Sequence, residues 1–371
     1  MRFLVWTALL WSCHCKTVLL DSVELALEDS IDCTTLSRVK VKGGAFSHGH
    51  SKAAFFGKLD SVDVVLKRPY GDFLLPDSTA ATSFGREVAR IKQLRGHPGV
   101  IHLYGGCLVG KPAELATVSE RLLPWAMYVE EQVPWCVLAH TAVTAVMLVD
   151  FLQGSWSPRN RTAHGWMHCD LHHGAFAVSR NYVAKLVDYG GLMHRAEFPV
   201  EKATCKAGGA TDQCALGFCM RSWLTRHHAS IGEFHCDTER GECPGFDPSA
   251  MLWVVCESML SETMAKSVQQ RRGSPEPDGV ADALRGCLQV QRERRWSASA
   301  VANVLRDYLA RNAGFECLRD AGVVLDGAFY DVKQRITLDN LGDFASRARP
   351  AWTPPSHLKK LEPFPGDIRP K

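Results

Sequence analysis

The sequence predicts an α+β fold of two lobes, rich in strands at the front and in helices behind. Two patterns carry that expectation. Short apolar–polar alternations punctuated by glycine mark the first third of the chain, and longer apolar stretches at helical spacing recur behind it. The length of 371 residues fits about two domains or one large bilobal domain. Hydrophobic residues at 46% and charged residues at 22% are enough for a sizeable core and exclude wholesale disorder. Forty-three basic against 40 acidic residues leave a net charge of +3, which offers no electrostatic case for nucleic acid as a partner.

Residues 1–15 open Met-Arg, run through an apolar stretch from Phe3 to Trp11 and end in Ser12-Cys-His-Cys15. One positive charge before a short apolar run reads as a secretory signal peptide, too short to span a bilayer. No later segment is predicted to cross a membrane; Leu138–Leu152 is interrupted by His140, two threonines and Asp150. The chain is therefore expected in the secretory-pathway lumen (ER or Golgi) or outside the cell, with secreted or lumenal partners. Two of its 14 cysteines, Cys13 and Cys15, fall in the leader, and an even number remains. An even count in such a compartment favours disulfides. Cys205, Cys214, Cys219, Cys236 and Cys243 crowd together without a Cys-x-x-Cys spacing, so disulfides are expected there rather than zinc. Cys107, Cys136, Cys256 and Cys287 sit in apolar stretches and read as core thiols. Asn160-Arg161-Thr162 is a glycosylation sequon in a polar stretch.

Residues 16–37 form an N-terminal extension without recognisable chemistry. Arg38–Lys67, around Gly43, Gly44, Gly49 and Gly57, reads as strand, glycine turn, strand, turn, strand. Phe84, Val88, Ile91 and Leu94 predict a helix over Phe84–Arg95, ended by Gly96-His-Pro-Gly99. Val100–Tyr104 and Thr117–Glu120 are expected strands. Val137–Gln153 reads as one long helix, and Ala163–Gly191 as short strands flanking a loop. Residues 195–246 are polar, cysteine-rich and irregular. Ser249–Leu260 is apolar enough for a buried helix; Val280–Val290 and Ser297–Arg311 are further helices. Six prolines beyond about residue 345 predict a flexible tail.

Chemistry is carried by four residues in a telling order. Lys67 ends the apolar strand Val64-Val-Leu-Lys67, and Glu87 lies on the first helix. His168-Cys-Asp170-Leu-His-His-Gly-Ala175 follows the long helix, and Lys185-Leu-Val-Asp188-Tyr-Gly190 follows that loop. Together they resemble the protein kinase signature set of strand lysine, helix glutamate, catalytic aspartate and metal-binding Asp-Phe-Gly. Leu94-Arg-Gly-His-Pro-Gly-Val-Ile-His-Leu-Tyr-Gly105 and Cys287-Leu-Gln-Val-Gln-Arg-Glu-Arg-Arg295-Trp-Ser-Ala298 also look like kinase segments, with Trp296 at a usual proline. Within kinases the chain is most similar to the divergent secretory-pathway kinases, the vertebrate lonesome kinase and the cysteine-rich ER and Golgi divergent protein kinase family. The signal peptide, the cysteine-rich insert in place of an activation segment, and the loop Ser47-His-Gly49-His-Ser-Lys52, with Lys52 at the third glycine, carry that likeness.

The resemblance implies a kinase-like fold with an N-lobe over residues 38–122, a C-lobe over 123–317 and a C-terminal extension over 318–371. It implies ATP with Mg²⁺ or Mn²⁺ as cofactors. Lys67 would hold the α and β phosphates, Glu87 would fix Lys67, and Asp170 would orient the substrate hydroxyl. Asp188 would hold the metal, Gly49 and Lys52 would line the phosphates, and Glu120 would present backbone groups to the adenine. The implied activity is transfer of the γ-phosphate to a hydroxyl of a secreted protein or glycan. Ala175 stands where kinases have the asparagine that holds a second metal, and the glycine loop keeps one glycine. Those departures leave open a pseudokinase that binds or scaffolds. Asp170-Leu-His172 also resembles the loop of aminoglycoside-type phosphotransferases, a small-molecule alternative. His168, Cys169, His172 and His173 match no standard metal-ligand spacing; His168 is expected to pack and bond beneath the loop.

Overall fold

The computed structural model describes residues 33–48, 52–69, 77–108, 115–154, 165–168, 171–194, 204–205, 214–215, 250–270, 279–289 and 294–330. The expected signal peptide over residues 1–15, the sequon, Gly49, Cys169, Asp170, most of the cysteine-rich residues 195–246 and the proline-rich tail lie outside the described residues. The fold is α+β, with an antiparallel sheet in the N-terminal part and helices in the C-terminal part, an arrangement compatible with two lobes.

Strands β1 (Val39–Val41), β2 (Ser47–His48), β3 (Lys52–Leu59), β4 (Val62–Pro69), β5 (Leu103–Cys107) and β6 (Ala116–Glu120) build the main sheet. Their order is β1-β3-β4-β6-β5, with β2 also on β3. One face buries Val64, Leu66, Cys107, Ala116 and Val118 against Leu36 and Val39. Helix α2 (Asp77–Leu94), after the short α1 (Cys33–Leu36), lays Phe84 and Val88 on Leu108 and Leu115. It starts seven residues before the expected Phe84, because nothing in Asp77–Ser83 breaks a helix. Gly57 belongs to no turn: it lies inside β3, opposite Val41 and Val64. A Cβ there would stand 3.1 Å from the Lys40 carbonyl and 3.2 Å from Val39 Cγ1, so close strand approach is its reason. The turn falls at Asp60 instead, in the left-handed region at φ 53°.

The expected strand from Val100 begins only at Leu103. Val100 instead makes a lone parallel bridge to Leu186, and the Leu186 N–H donates to the Gly99 carbonyl at 2.9 Å. Gly99 permits this dock, since a Cβ would stand 3.0 Å from Leu148 Cδ1. After β7 (Leu123–Pro124) comes helix α3 (Trp125–Glu130), in a stretch for which the sequence predicted no element. Helix α4 (Trp135–Gln153) is the axis of the second half. It is long and apolar enough to cross a membrane by length and composition, yet 78% of its most apolar window is buried inside the protein. Its polar residues are bonded internally. Thr141 Oγ1 donates to the Val137 carbonyl at 2.9 Å, Thr144 Oγ1 accepts from the Ala184 N–H at 2.9 Å, and His140 Nδ1 lies 2.6 Å from the Tyr330 hydroxyl.

Short strands β8 (Trp166–His168), β9 (Phe176–Val178), β10 (Ala184–Leu186) and β11 (Leu192–His194) pair as β7-β9-β10 and β8-β11. Strands β12 (Thr204–Cys205) and β13 (Cys214–Ala215) put Cys205 opposite Cys214 in register. Helix α5 (Ala250–Val255) passes through a π turn into α6 (Ser261–Gln270), and all of Ala250–Val255 is buried. Helix α7 (Val280–Cys287) stops short of the expected Val290. Helix α8 (Ala298–Arg311) starts where Ser297 Oγ caps the Ala300 N–H at 3.2 Å. Helices α9 (Gly314–Asp320) and α10 (Gly327–Tyr330) close the core with buried Leu318 and Phe329.

The four cysteines expected as core thiols are all paired. Sulfurs stand at disulfide distance in Cys33–Cys107 (2.00 Å), Cys136–Cys317 (1.98 Å) and Cys256–Cys287 (2.14 Å). Apolar surroundings suit a half-cystine as well as a thiol, so burial alone did not separate the two. Cys33–Cys107 ties α1 to β5, and Cys136–Cys317 ties α9 to the start of α4 across 181 residues. Such pairs accord with an oxidising compartment. Non-reducing peptide mapping should recover these three linkages. The Cys136→Ser, Cys317→Ser double variant should lose about 2–4 kcal/mol in denaturant unfolding.

Candidate functional site

The site forms where β3, β4 and α2 meet the segment that follows β10. On β4, Val64, Val65 and Leu66 are buried, and Lys67 opposes Ala54 on β3 and Thr117 on β6. On α2, Glu87 follows Phe84 by three residues and shares its inward face. Its side chain is 2% exposed. Lys67 Nζ donates to Glu87 Oε1 at 2.7 Å and to the Val187 carbonyl at 2.5 Å. Lys52, the first residue of β3, donates to the other oxygen, Glu87 Oε2, and its ammonium lies 4.8 Å from the centre of the Phe84 ring. One buried carboxylate thus holds two lysines from two strands. Burying a lone carboxylate costs several kcal/mol; two ammonium partners offset that cost.

Asp188 lies just beyond β10. Its Oδ1 accepts from the Gly190 N–H at 2.9 Å, and its carbonyl accepts from His168 Nε2 at 2.7 Å. A carbonyl oxygen can only accept, so the fully buried His168 carries a proton on Nε2. Arg90 Nη1 donates to the carbonyls of Tyr189 (2.9 Å) and Gly190 (3.1 Å). Tyr189 Oη accepts from the Ile101 N–H at 3.2 Å. The stretch 187–190 is therefore fixed from α2, from β4, from β8 and from the chain before β5.

Electrostatics hold the cluster charged. Burial alone would raise the Asp188 carboxyl, but Lys67, His168 and Lys52 outweigh it and set it well below the usual range. Burial likewise opposes ionisation of Glu87, and Lys52 and Lys67 overcome it, so its pKa is lowered. Lys67 is pushed down by burial and up by Glu87 and Asp188, and the net shift is upward.

Lys52, Lys67, Glu87 and Asp188 thus come together as a set. Glu120 stands apart from them, at the end of β6. Its Oε1 accepts from Lys185 Nζ at 2.6 Å and from the His102 N–H at 2.7 Å, so its side chain joins β6 to β10. Gly49 and Asp170 lie outside the described residues; Asp170 falls between His168 and the buried Leu171. Ala175 ends a 3₁₀ turn, His173–Ala175, and is fully buried. Its N–H donates to the His172 carbonyl at 2.9 Å, and its carbonyl accepts from the Val187 N–H at 2.8 Å. Its methyl brings no ligand atom. Sequence reasoning missed Arg90, Lys185 and the Val187 carbonyl. Arg90 was readable as a charge three residues after Glu87 on a buried stripe; the other two needed the fold. Neither the protein-family models nor the curated proteins searched contain a match to this chain.

Glu87→Gln should cost about 3–5 kcal/mol at pH 7, because it leaves two part-buried ammonium groups without their counter-charge. The Glu87 pKa is lower folded than unfolded. Its contribution is therefore complete above its ordinary value of 4.5 and is lost as the pH falls through that value toward the folded one. Urea unfolding of both proteins between pH 7 and pH 3 should show the wild-type advantage shrinking below about pH 4.5.

Proposed function

We propose that this chain is an ATP-dependent phosphotransferase of the secretory pathway, which moves the γ-phosphate to a hydroxyl of a secreted protein or glycan. The observation that carries the reading is the Lys67–Glu87 ion pair, 2.7 Å long and held against the segment that bears Asp188. Phosphoryl transfer needs positioning and charge neutralisation more than covalent help. Lys67 supplies a fixed cation for the α and β phosphates, and Glu87 sets where that cation stands. Asp170 accepts a hydrogen bond from the acceptor hydroxyl and aims its oxygen at the γ-phosphate. His168 and Arg90 act as positioning residues, because both grip the backbone beside Asp188.

The donor set fits one divalent ion: Asp188 is an ionised carboxylate, whereas Ala175 offers a methyl. Mg²⁺ or Mn²⁺ held by Asp188 would neutralise phosphate charge. The three cysteine pairs at disulfide distance support placing the chemistry in an oxidising lumen.

Ala175 also favours a second reading, a pseudokinase that binds nucleotide or a partner and transfers nothing. Labelled ATP with Mg²⁺ or Mn²⁺ and a secreted-protein extract separates the two. A kinase labels a product, and Asp170→Asn or Lys67→Met lowers that labelling by a factor of about 10² or more. Equal labelling by wild type and Asp170→Asn overturns the kinase reading.

A further inference from the structure

Lys67 accounts for one of the two lysines that converge on Glu87. Lys52 is the other, and its place is specific. It begins β3, directly after residues 49–51, and its side chain is 14% exposed. It reaches inward over Phe84 to Glu87 Oε2. A Cβ built on Gly190 would stand 4.0 Å from Lys52 Nζ and 3.2 Å from Asp188 Oδ1, so ammonium and carboxylate flank the same point. The buried methyl of Ala175 ends the turn whose carbonyl accepts from the Val187 N–H, one residue before Asp188. The site therefore carries a second fixed ammonium, and among the described residues no group of three or more His, Cys, Asp or Glu side chains gathers to hold a metal ion.

A second Mg²⁺ or Mn²⁺ needs several oxygen ligands at close range. A methyl supplies none, and an ammonium beside Asp188 repels a further cation. The same ammonium is a good partner for phosphate oxygens. The geometry points to Lys52 as a phosphate-binding residue that takes the electrostatic place of a second metal ion, so that the nucleotide is held with a single divalent cation. This inference rests on the nucleotide reading of the site and adds to it the metal count and the residue that sets it.

The test uses the full chain, Mn²⁺ and the non-hydrolysable β,γ-imido analogue of ATP. Electron paramagnetic resonance counts the Mn²⁺ taken up, and calorimetry gives the nucleotide affinity. Wild type should take up one Mn²⁺ per bound nucleotide. Lys52→Met should bind the nucleotide about tenfold more weakly, the loss expected of one charged hydrogen bond. Lys52→Arg, which keeps the charge, should retain more of the affinity. Two Mn²⁺ per nucleotide in wild type, or wild-type affinity in Lys52→Met, overturns the role of Lys52 and leaves the nucleotide reading standing. Failure of wild type to bind the analogue overturns both. If Lys52→Met does not fold, the wild-type Mn²⁺ count decides alone.

Discussion

A single buried carboxylate constrains most of this structure. Glu87 lies on a helix that buries Phe84, Val88, Ile91 and Leu94, at a depth where an unpaired charge is not tolerated. Its two oxygens are met by lysines from two neighbouring strands. That requirement fixes the rotation of α2 about its axis and its height against the sheet. It also fixes the ends of β3 and β4, because Lys52 and Lys67 reach the same group from different strands. Lys67 carries the constraint further through the Val187 carbonyl, so the carboxylate on α2 also positions the chain beside Asp188.

The second half of the molecule supplies the platform for that chain. Helix α4 is buried along nearly its whole length, and its threonines satisfy backbone groups in place of water. β10 leans on it and carries the Asp188 segment forward. The seam between the halves joins buried apolar residues (Ile91, Leu94, Val100 and Ile101 share one core with Leu148 and Leu186) to specific polar contacts. It includes the Lys185–Glu120 ion pair, the grip of Arg90 on two carbonyls and the Val100–Leu186 bridge. A seam of this kind fixes register, since each bond has one partner at one distance, whereas apolar contact alone tolerates sliding.

Much of this was legible before the fold was known, for identifiable reasons. Helical spacing of Phe84, Val88, Ile91 and Leu94 located α2, and the helix expected over Ser297–Arg311 matches α8 to within one residue. The lysine, glutamate and aspartate of the site were readable because their order along the chain carries the signal. The rest depended on contacts between distant residues. Cys33 and Cys107 are separated by 74 residues, and nothing local distinguishes their partnership from that of two separate thiols. Gly57 looked like a turn residue because glycine serves both turns and close strand approach. Glu120 was expected to matter through its backbone; its carboxylate proved to be half of an ion pair with a lysine 65 residues away. Lys52 was assigned to the phosphates from its place in the loop, but its hold on Glu87 became apparent only when β3 and α2 were seen together.

The central claim is that Lys52, Glu87 and Lys67 form one coupled unit rather than two independent ion pairs. A double-mutant cycle on folding stability with Lys52→Met, Lys67→Met and the pair measures this directly. Two lysines sharing one buried carboxylate predict non-additivity. Either single change leaves Glu87 one partner, and the double change leaves it none, so the pair should cost more than the two singles combined by about 1 kcal/mol or more. Additivity within about 0.3 kcal/mol would contradict the account, because it would mean that each lysine is held without regard to the other.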